Sequence, residues 1–322
     1  MAADQEKSGL GGACPACGVA LIGRYCHGCG QDTRAKPRPL REMAAEALSE
    51  TTLIDSRTVR TAAALATRPA RLLEAYRAGA GSLYVSPVKI FVVMTALFLA
   101  VMNFSDVVIF QYVRAVEPGG QPVVATLAPD GMTVLVSGAT EHDHWMQRRI
   151  TPLIDPRITA AIEAAAARAD NPSDRINLLY DIPADREQAV IGERIGSWLP
   201  NALWLLMPLF ALLLVPLFGR RRLFMEHLVF AMWAHALAFG LLMVLAVVNR
   251  FGVDAPVWPL SLPYLTYLTL AARAYYGVSL FTAAWKSLLH TVLYFCVVLV
   301  PAALIVAISA LDVEAFVTFI SA

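Results

Sequence analysis

Apolar and polar positions alternate along this chain in long blocks. Five apolar blocks, at 88–110, 198–218, 228–248, 258–276 and 288–308, each approach the roughly twenty residues that a bilayer core demands. The fourth is the weakest, because Pro259 and Pro263 interrupt its start and TYLTLAARAYY is only moderately apolar. Between the first two blocks lies a polar insert whose pattern changes period. Residues 123–138 alternate around a Pro129-Asp130-Gly131 turn and predict a β-hairpin. PRITAAIEAAAARA and DREQAVIGERIGSWL then return to helical spacing.

Ahead of the first block the pattern is amphipathic. Leu40, Met43, Ala44, Ala47 and Leu48 recur at helical spacing, and a second helix can start after Asp55 or Ser56. A third begins at Pro69, runs through ARLLEAYRA and stops at Gly79. Their arginines fall on one side and Leu72, Leu73 and Tyr76 on another. Two placements satisfy this pattern: flat on a membrane surface, or packed on the ends of the spans.

The expected fold class is mainly α: a polytopic helical membrane protein of about five transmembrane helices, with a small N-terminal zinc ribbon and a small α+β extracytoplasmic insert. The expected boundaries are 1–36 for the ribbon, 37–86 for cytoplasmic amphipathic helices, 87–110 for the first transmembrane helix, 111–197 for the insert and 198–322 for a four-helix transmembrane region. Composition agrees, with 57% hydrophobic residues and 16% charged, where a soluble domain carries about 25% charged. The formal charge of +1 gives no reason to invoke nucleic acid. The first forty residues carry no apolar core of a signal peptide.

Basic residues predict the orientation. GRRR at 219–222 joins the second and third blocks, Arg273 and Lys286 bracket the loop between the fourth and fifth, and Arg57, Arg60, Arg68, Arg71 and Arg77 precede the first. Only Arg250 lies between the third and fourth. All these clusters share one face if the N-terminus is cytoplasmic and the C-terminus extracytoplasmic.

That orientation bears on CPACGVALIGRYCHGCGQ. Cys14, Cys17, Cys26 and Cys29 form two C-x2-C pairs, each followed by glycine. Four thiolates suit a closed structural zinc site, whereas two disulfides would require an oxidising compartment. In a reducing cytoplasm zinc is the expected cofactor, structural rather than catalytic, since four protein ligands leave no position for water. Cys296, alone in the fifth block, is expected to be a small apolar filler.

Two further groups can carry chemistry. In EHDH (141–144), His142 and His144 project from one face of a strand and could share a metal with Glu141 or Asp143. In EHLVFAMWAH (226–235), Glu226 and His227 sit at the entry of the third span and His235 two turns deeper. His227 and His235 lie roughly 12 Å apart along the axis, too far for one metal. They mark either a polar path or, for His235, a hydrogen bond to a neighbouring helix near His290 or Asn201.

The ribbon ending YCHGCGQ, the Asp55, Thr61, Leu65, Pro69, Tyr76, Gly79, Tyr84, Pro87 series, and EHLVFAMWAH together resemble the bacterial domain-of-unknown-function family numbered 3667. The chain departs from the family pattern at GAGSLY (79–84), where a basic residue is expected after the glycine. The resemblance implies an N-terminal zinc ribbon followed by a multi-pass bundle, in the bacterial inner membrane, and it implies no activity. The leading expectation is a non-enzymatic docking, scaffold or regulatory protein, embedded in the lipid bilayer, with a cytoplasmic protein partner at its ribbon. The alternative is a transporter or flippase for a lipid or small solute that uses Glu226, His227 and His235. An enzyme is least expected, because the spans lack an acidic pair, an HExxH or a Ser/His/Asp set.

Overall fold

The computed structural model describes residues 12–14, 17–32, 56–68, 71–72, 75–76, 84–116, 119, 121–219 and 222–310. The chain is mainly helical and divides into two compact units. One comprises Met1–Ala100, Leu205–Met243 and Trp258–Val298, and the other Val101–Trp204, Val244–Val257 and Leu299–Ala322.

In the first unit, α1 (Ser56–Thr67) turns Thr58, Thr61 and Leu65 inward at helical spacing and leaves Val59 and Arg60 outside. The Thr61 hydroxyl accepts the Val85 amide at 3.0 Å and the Arg57 guanidinium donates to the Tyr84 carbonyl, so α1 is tied to the start of α2 (Pro87–Ser105). The amphipathic face of α1 thus packs on protein. Residues 71–72 and 75–76 are helical, with Leu72 and Ala75 buried. The helix expected over residues 40–48 falls outside the described residues.

Among the described residues, three helices are long and apolar enough to cross a membrane: α2, α5 (Phe224–Arg250) and the continuous run Leu280–Val306. That last run joins α7 (Leu280–Leu293) through a π-helical turn at Tyr294–Leu299 to α8 (Val300–Ala310). The second and fourth expected spans are helical but shorter in their apolar part. They appear as Trp204–Phe218, at the end of α4 (Pro172–Phe218), and as α6 (Ser261–Tyr276), which follows a 3-10 turn at Trp258–Leu260. Cys296 is exposed on the π turn, within the apolar run.

The first expected span is also too long. α2 ends at Ser105, Asp106 adopts a φ of 55°, and Val107–Val116 form strand β1. The insert therefore begins near residue 107 rather than 111. VVIFQYV is as apolar as a span, but its β-branched and aromatic residues pair antiparallel with β4 (Ala139–Arg148). The other end of the insert moves as well. The boundary expected at residue 197 falls inside α4, whose 47 residues run from the insert into the Trp204–Phe218 segment without a break.

Within the second unit, the expected hairpin is present as β2 (Val124–Leu127) and β3 (Val134–Ser137). Asp130 closes its turn by accepting the Met132 and Thr133 amides, while Gly131 takes a φ of 69°. The hairpin covers α3 (Pro156–Arg168) through Ala125, Ile158, Ile162 and Ala166. The β1/β4 ribbon lies against α4 with no intervening side chain at two points. A Cβ on Gly196 would meet the Phe110 carbonyl oxygen at 2.7 Å, and one on Gly192 the Tyr112 nitrogen at 3.2 Å. Backbone cannot yield as a flexible side chain can. Gly196→Val is expected to cost about 1–3 kcal/mol, and Gly192→Ala less, read as a loss of melting temperature in detergent.

Candidate metal centre and buried histidines

The two cysteine pairs are built alike, one twelve residues after the other. Cys14 N–H donates to Val19 O and Gly18 N–H to Cys14 O, each at 2.8 Å. Cys26 N–H donates to Gln31 O at 2.9 Å and Gly30 N–H to Cys26 O at 2.8 Å. Gly18 and Gly30 take φ of 80° and 74°, which turns the chain back under each pair. The bridges Ala13–Ala20 and Tyr25–Asp32 close the two knuckles.

This repeat brings the four sulfurs within 4.8 Å of one another. Cys14 and Cys29 sulfurs are 3.7 Å apart and Cys17 and Cys26 sulfurs 3.5 Å, far beyond a disulfide bond. A tetrahedral ion with bonds of about 2.3 Å to sulfur needs edges near 3.8 Å. The donor set therefore fits a metal ion. The Cys17 thiol is pushed up to about 12: the Val19 backbone lowers it, but desolvation and the three neighbouring sulfurs outweigh that. Four sulfurs this close do not ionise together without a cation, so binding one releases protons.

The sequence-predicted polar residues of α5 divide into two settings. His227 is buried, its Nδ1 2.9 Å from the Tyr276 hydroxyl and its ring stacked on Tyr276. Glu226 lies 3.5 Å from Arg222, whose guanidinium stands over the Tyr275 and Tyr276 rings. The Tyr275 hydroxyl donates to the Glu226 carbonyl. Glu226 Oε2 and His227 Nε2 are buried with no hydrogen bond of good geometry.

Two turns on, His235 is 4% exposed. Its Nδ1 donates to the Ala231 carbonyl at 2.8 Å, which leaves Nε2 to accept from the Tyr294 hydroxyl at 3.5 Å. His290 Nε2 donates to the Phe210 carbonyl at 3.0 Å. Phe210 packs edge-on against both imidazoles, and Phe91 against His235. The expected neighbourhood of His235 and His290 is thus present, joined through Phe210 and Tyr294. The Asn201 side chain lies outside the described residues.

The weaker candidate pair, His142 and His144, does share one face of β4, with ring centroids 6.0 Å apart. The His144 imidazole is held below its ordinary range by burial first, then by the charge of His142, against the opposing pull of Asp254 and Asp143. Among the described residues, the four cysteines form the cluster of three or more ligands close enough for one ion, and these histidines join none. Glu141 turns away to stand 2.9 Å from Arg114 Nε.

Two structural centres of the second unit gave no signal in the sequence. Arg114 is buried and donates to Asp181 at 2.8 Å and to Asp185, one turn apart on α4. Asn249, fully buried at the end of α5, donates to the Met146 and Ala255 carbonyls at 2.6 and 2.9 Å and accepts the Ala255 amide at 2.7 Å. Met146 has a φ of 56°, a strained value for a non-glycine residue, and the Asn249 bond holds its carbonyl.

The tie between α1 and α2 lies within a stretch that carries a family signature. Residues 55–99 match the family described as Protein of unknown function (DUF3667). The match covers α1 and most of α2, including the Thr61–Val85 bond, and agrees with the resemblance drawn from the Asp55 to Pro87 series. No curated protein and no solved structure matches the chain. The ribbon, the insert and the His235–His290 layer lie outside the DUF3667 segment.

Proposed function

We propose that this is a non-enzymatic inner-membrane protein in which a structural zinc ribbon presents a docking surface to a cytoplasmic protein. The observation that carries this reading is the surface of the clip itself. Ile22 is 74% exposed and Tyr25 58%, on a segment held by the four cysteines. Arg24 packs over the Tyr25 ring and holds Asp32 through a bidentate pair, so the apolar residues stand on a fixed base with a charged rim. Exposed apolar and aromatic side chains with a polar rim are what a protein interface core requires. Four thiolates at tetrahedral spacing favour zinc as the ion.

The alternative, transport along a path past Glu226, His227 and His235, has support only from the two buried atoms, Glu226 Oε2 and His227 Nε2, that lack a hydrogen bond of good geometry. His235 and His290 spend ring nitrogens on backbone carbonyls and lie closed among aromatic rings. A photo-crosslinking residue at Ile22 is therefore expected to trap one defined protein in cells. That adduct should vanish in Cys26→Ser and persist in His235→Leu. Crosslinks only to lipid, or adducts indifferent to the cysteines, would reject docking.

Five crossings remain our reading of the topology, with Trp204–Phe218 and α6 completing the three longer spans. The arginine loop after Phe218 then lies inside with the N-terminus. If only the three longer helices crossed, that loop would lie outside. Cysteine labelling of intact cells is expected to reach position 129 and to miss position 219. Labelling at 219 would reduce the crossings to three.

A further inference from the structure

We propose that the second unit holds the headgroup of an amine-bearing membrane phospholipid, its phosphodiester on Arg149 and Arg194 and its ammonium beside Glu193. These three side chains line a groove of about 630 Å³, together with the last turn of α2 at Met102 and Asn103 and the start of β1. On α4, Val190, Glu193, Arg194 and Ser197 recur at the spacing of one helical face, and all four line the groove.

Depth singles out a lipid. Met102 and Asn103 end one apolar helix, and Ser197 precedes the apolar Trp204–Phe218 segment by two turns. The groove therefore opens where two apolar helices give way to polar sequence, the level at which headgroup phosphates lie. Aromatic side chains mark the same level. Phe104 is 81% exposed, and the exposed Trp145 packs at a tilt, ring centroids 4.5 Å apart, on Phe110, which lines the groove. Val107, Phe110, Ile150 and Leu153 give the groove an apolar wall suited to the glycerol end of the lipid.

Charge narrows the class. The guanidinium fork matches two oxygens of a phosphodiester. The lining is not uniformly basic, however: Glu193 shares it, and Asp106 lies 3.9 Å from Arg149. A near-balanced set suits a zwitterion better than an anionic lipid. A primary ammonium offers a carboxylate three N–H donors, which a quaternary choline cannot. Two of the neutral polar groups are committed elsewhere. Gln111 donates to the Arg148 carbonyl and accepts the Ile150 amide, and Ser197 donates to the Arg194 carbonyl. The three charged side chains carry the groove's formal charge and are the groups the headgroup meets.

The proposal rests on the reading that the apolar helices cross a bilayer, which alkaline carbonate extraction of membranes tests separately. The full chain, delipidated in detergent and titrated with phosphatidylethanolamine, phosphatidylglycerol and phosphatidylcholine, is expected to retain phosphatidylethanolamine best by native mass spectrometry. Arg149→Gln with Arg194→Gln should weaken all three lipids by about tenfold or more. Glu193→Gln should lower phosphatidylethanolamine to the level of phosphatidylcholine and spare phosphatidylglycerol. All three side chains are exposed, so the variants should fold. If the double variant does not, Arg149→Lys, which keeps charge but loses the fork, is expected to show a smaller loss. Equal phosphatidylethanolamine retention by wild type and the arginine variants would overturn the site. Preference for phosphatidylglycerol would overturn the role of Glu193, and competition by glycerophosphoethanolamine at lipid-like concentrations would overturn a lipid in favour of a soluble phosphodiester.

Discussion

Replacing Cys14 or Cys26 with serine is expected to strip the protein of about one zinc ion per chain and to unfold the segment that carries the four cysteines. The expectation follows from how little else holds that segment. Its described backbone bonds amount to two short knuckles and two isolated bridges, and its larger apolar side chains, Ile22 and Tyr25, face outward. Such a segment has almost no core, so the free energy of ordering it must come from the ion, for which structural sites supply on the order of 10–16 kcal/mol at neutral pH. Loss should also follow acidification, since protons compete with the metal for four thiolates. Elemental analysis of protein purified under reducing, chelator-free conditions gives the stoichiometry, and protease sensitivity of that segment gives the folding. Metal-free wild-type protein with a protease-resistant N-terminus would refute the assignment.

Arg114→Gln is expected to destabilise the insert by about 3–5 kcal/mol. Arg114 is the cation that faces Asp181 and Asp185 on α4 and Glu141 on β4, with its side chain 4% exposed. Its desolvation is outweighed by the two aspartates, which hold the guanidinium charged. The Asp185 carboxyl is raised by burial above its ordinary range, Arg114 pulling it down and Asp181 and Glu141 pushing it up. Removing the guanidinium removes the favourable part and leaves the buried Asp185 carboxyl beside Asp181 and Glu141 with no cation. A carboxyl raised in the folded state binds more protons folded than unfolded, so its contribution to stability falls as pH rises through the carboxylate range. The variant should accordingly regain stability as pH falls into the carboxylate range, and by more than the wild type does. Arg114→Gln with Asp185→Asn should recover part of the loss at neutral pH. Unchanged melting of the single variant would show that the pair is replaceable.

Some of this architecture was legible because its cause is local. The hairpin around Pro129-Asp130-Gly131 needs only Asp130 to accept the next amides and Gly131 to take positive φ. α3 starts where Asp155 caps the Arg157 amide ahead of Pro156. The cysteine clip was legible for the same reason: each half is closed by bonds and a bridge spanning no more than nine residues, and the twelve-residue repeat is visible in the letters. His235 and His290 could be named as neighbours only as one option, since a histidine on an apolar helix carries no mark of which carbonyl it will meet.

The sequence by itself determined where apolar helices would lie, that four thiols would converge, and that a hairpin and a helix would fill the insert. Tertiary structure alone decided three other matters. Residues 107–110 leave the helix for a strand because β4, more than thirty residues later, supplies backbone partners that helical sequence preference cannot anticipate. Gly192 and Gly196 resist substitution because the β1 backbone passes where their Cβ atoms would stand, a contact that neither stretch encodes locally. Arg114 becomes the centre of the insert because strand pairing sets Glu141 opposite it and the helical repeat of α4 presents Asp181 and Asp185 one turn apart. Burial and long-range pairing set the energy of a charge or a glycine, and both depend on residues far away in the chain.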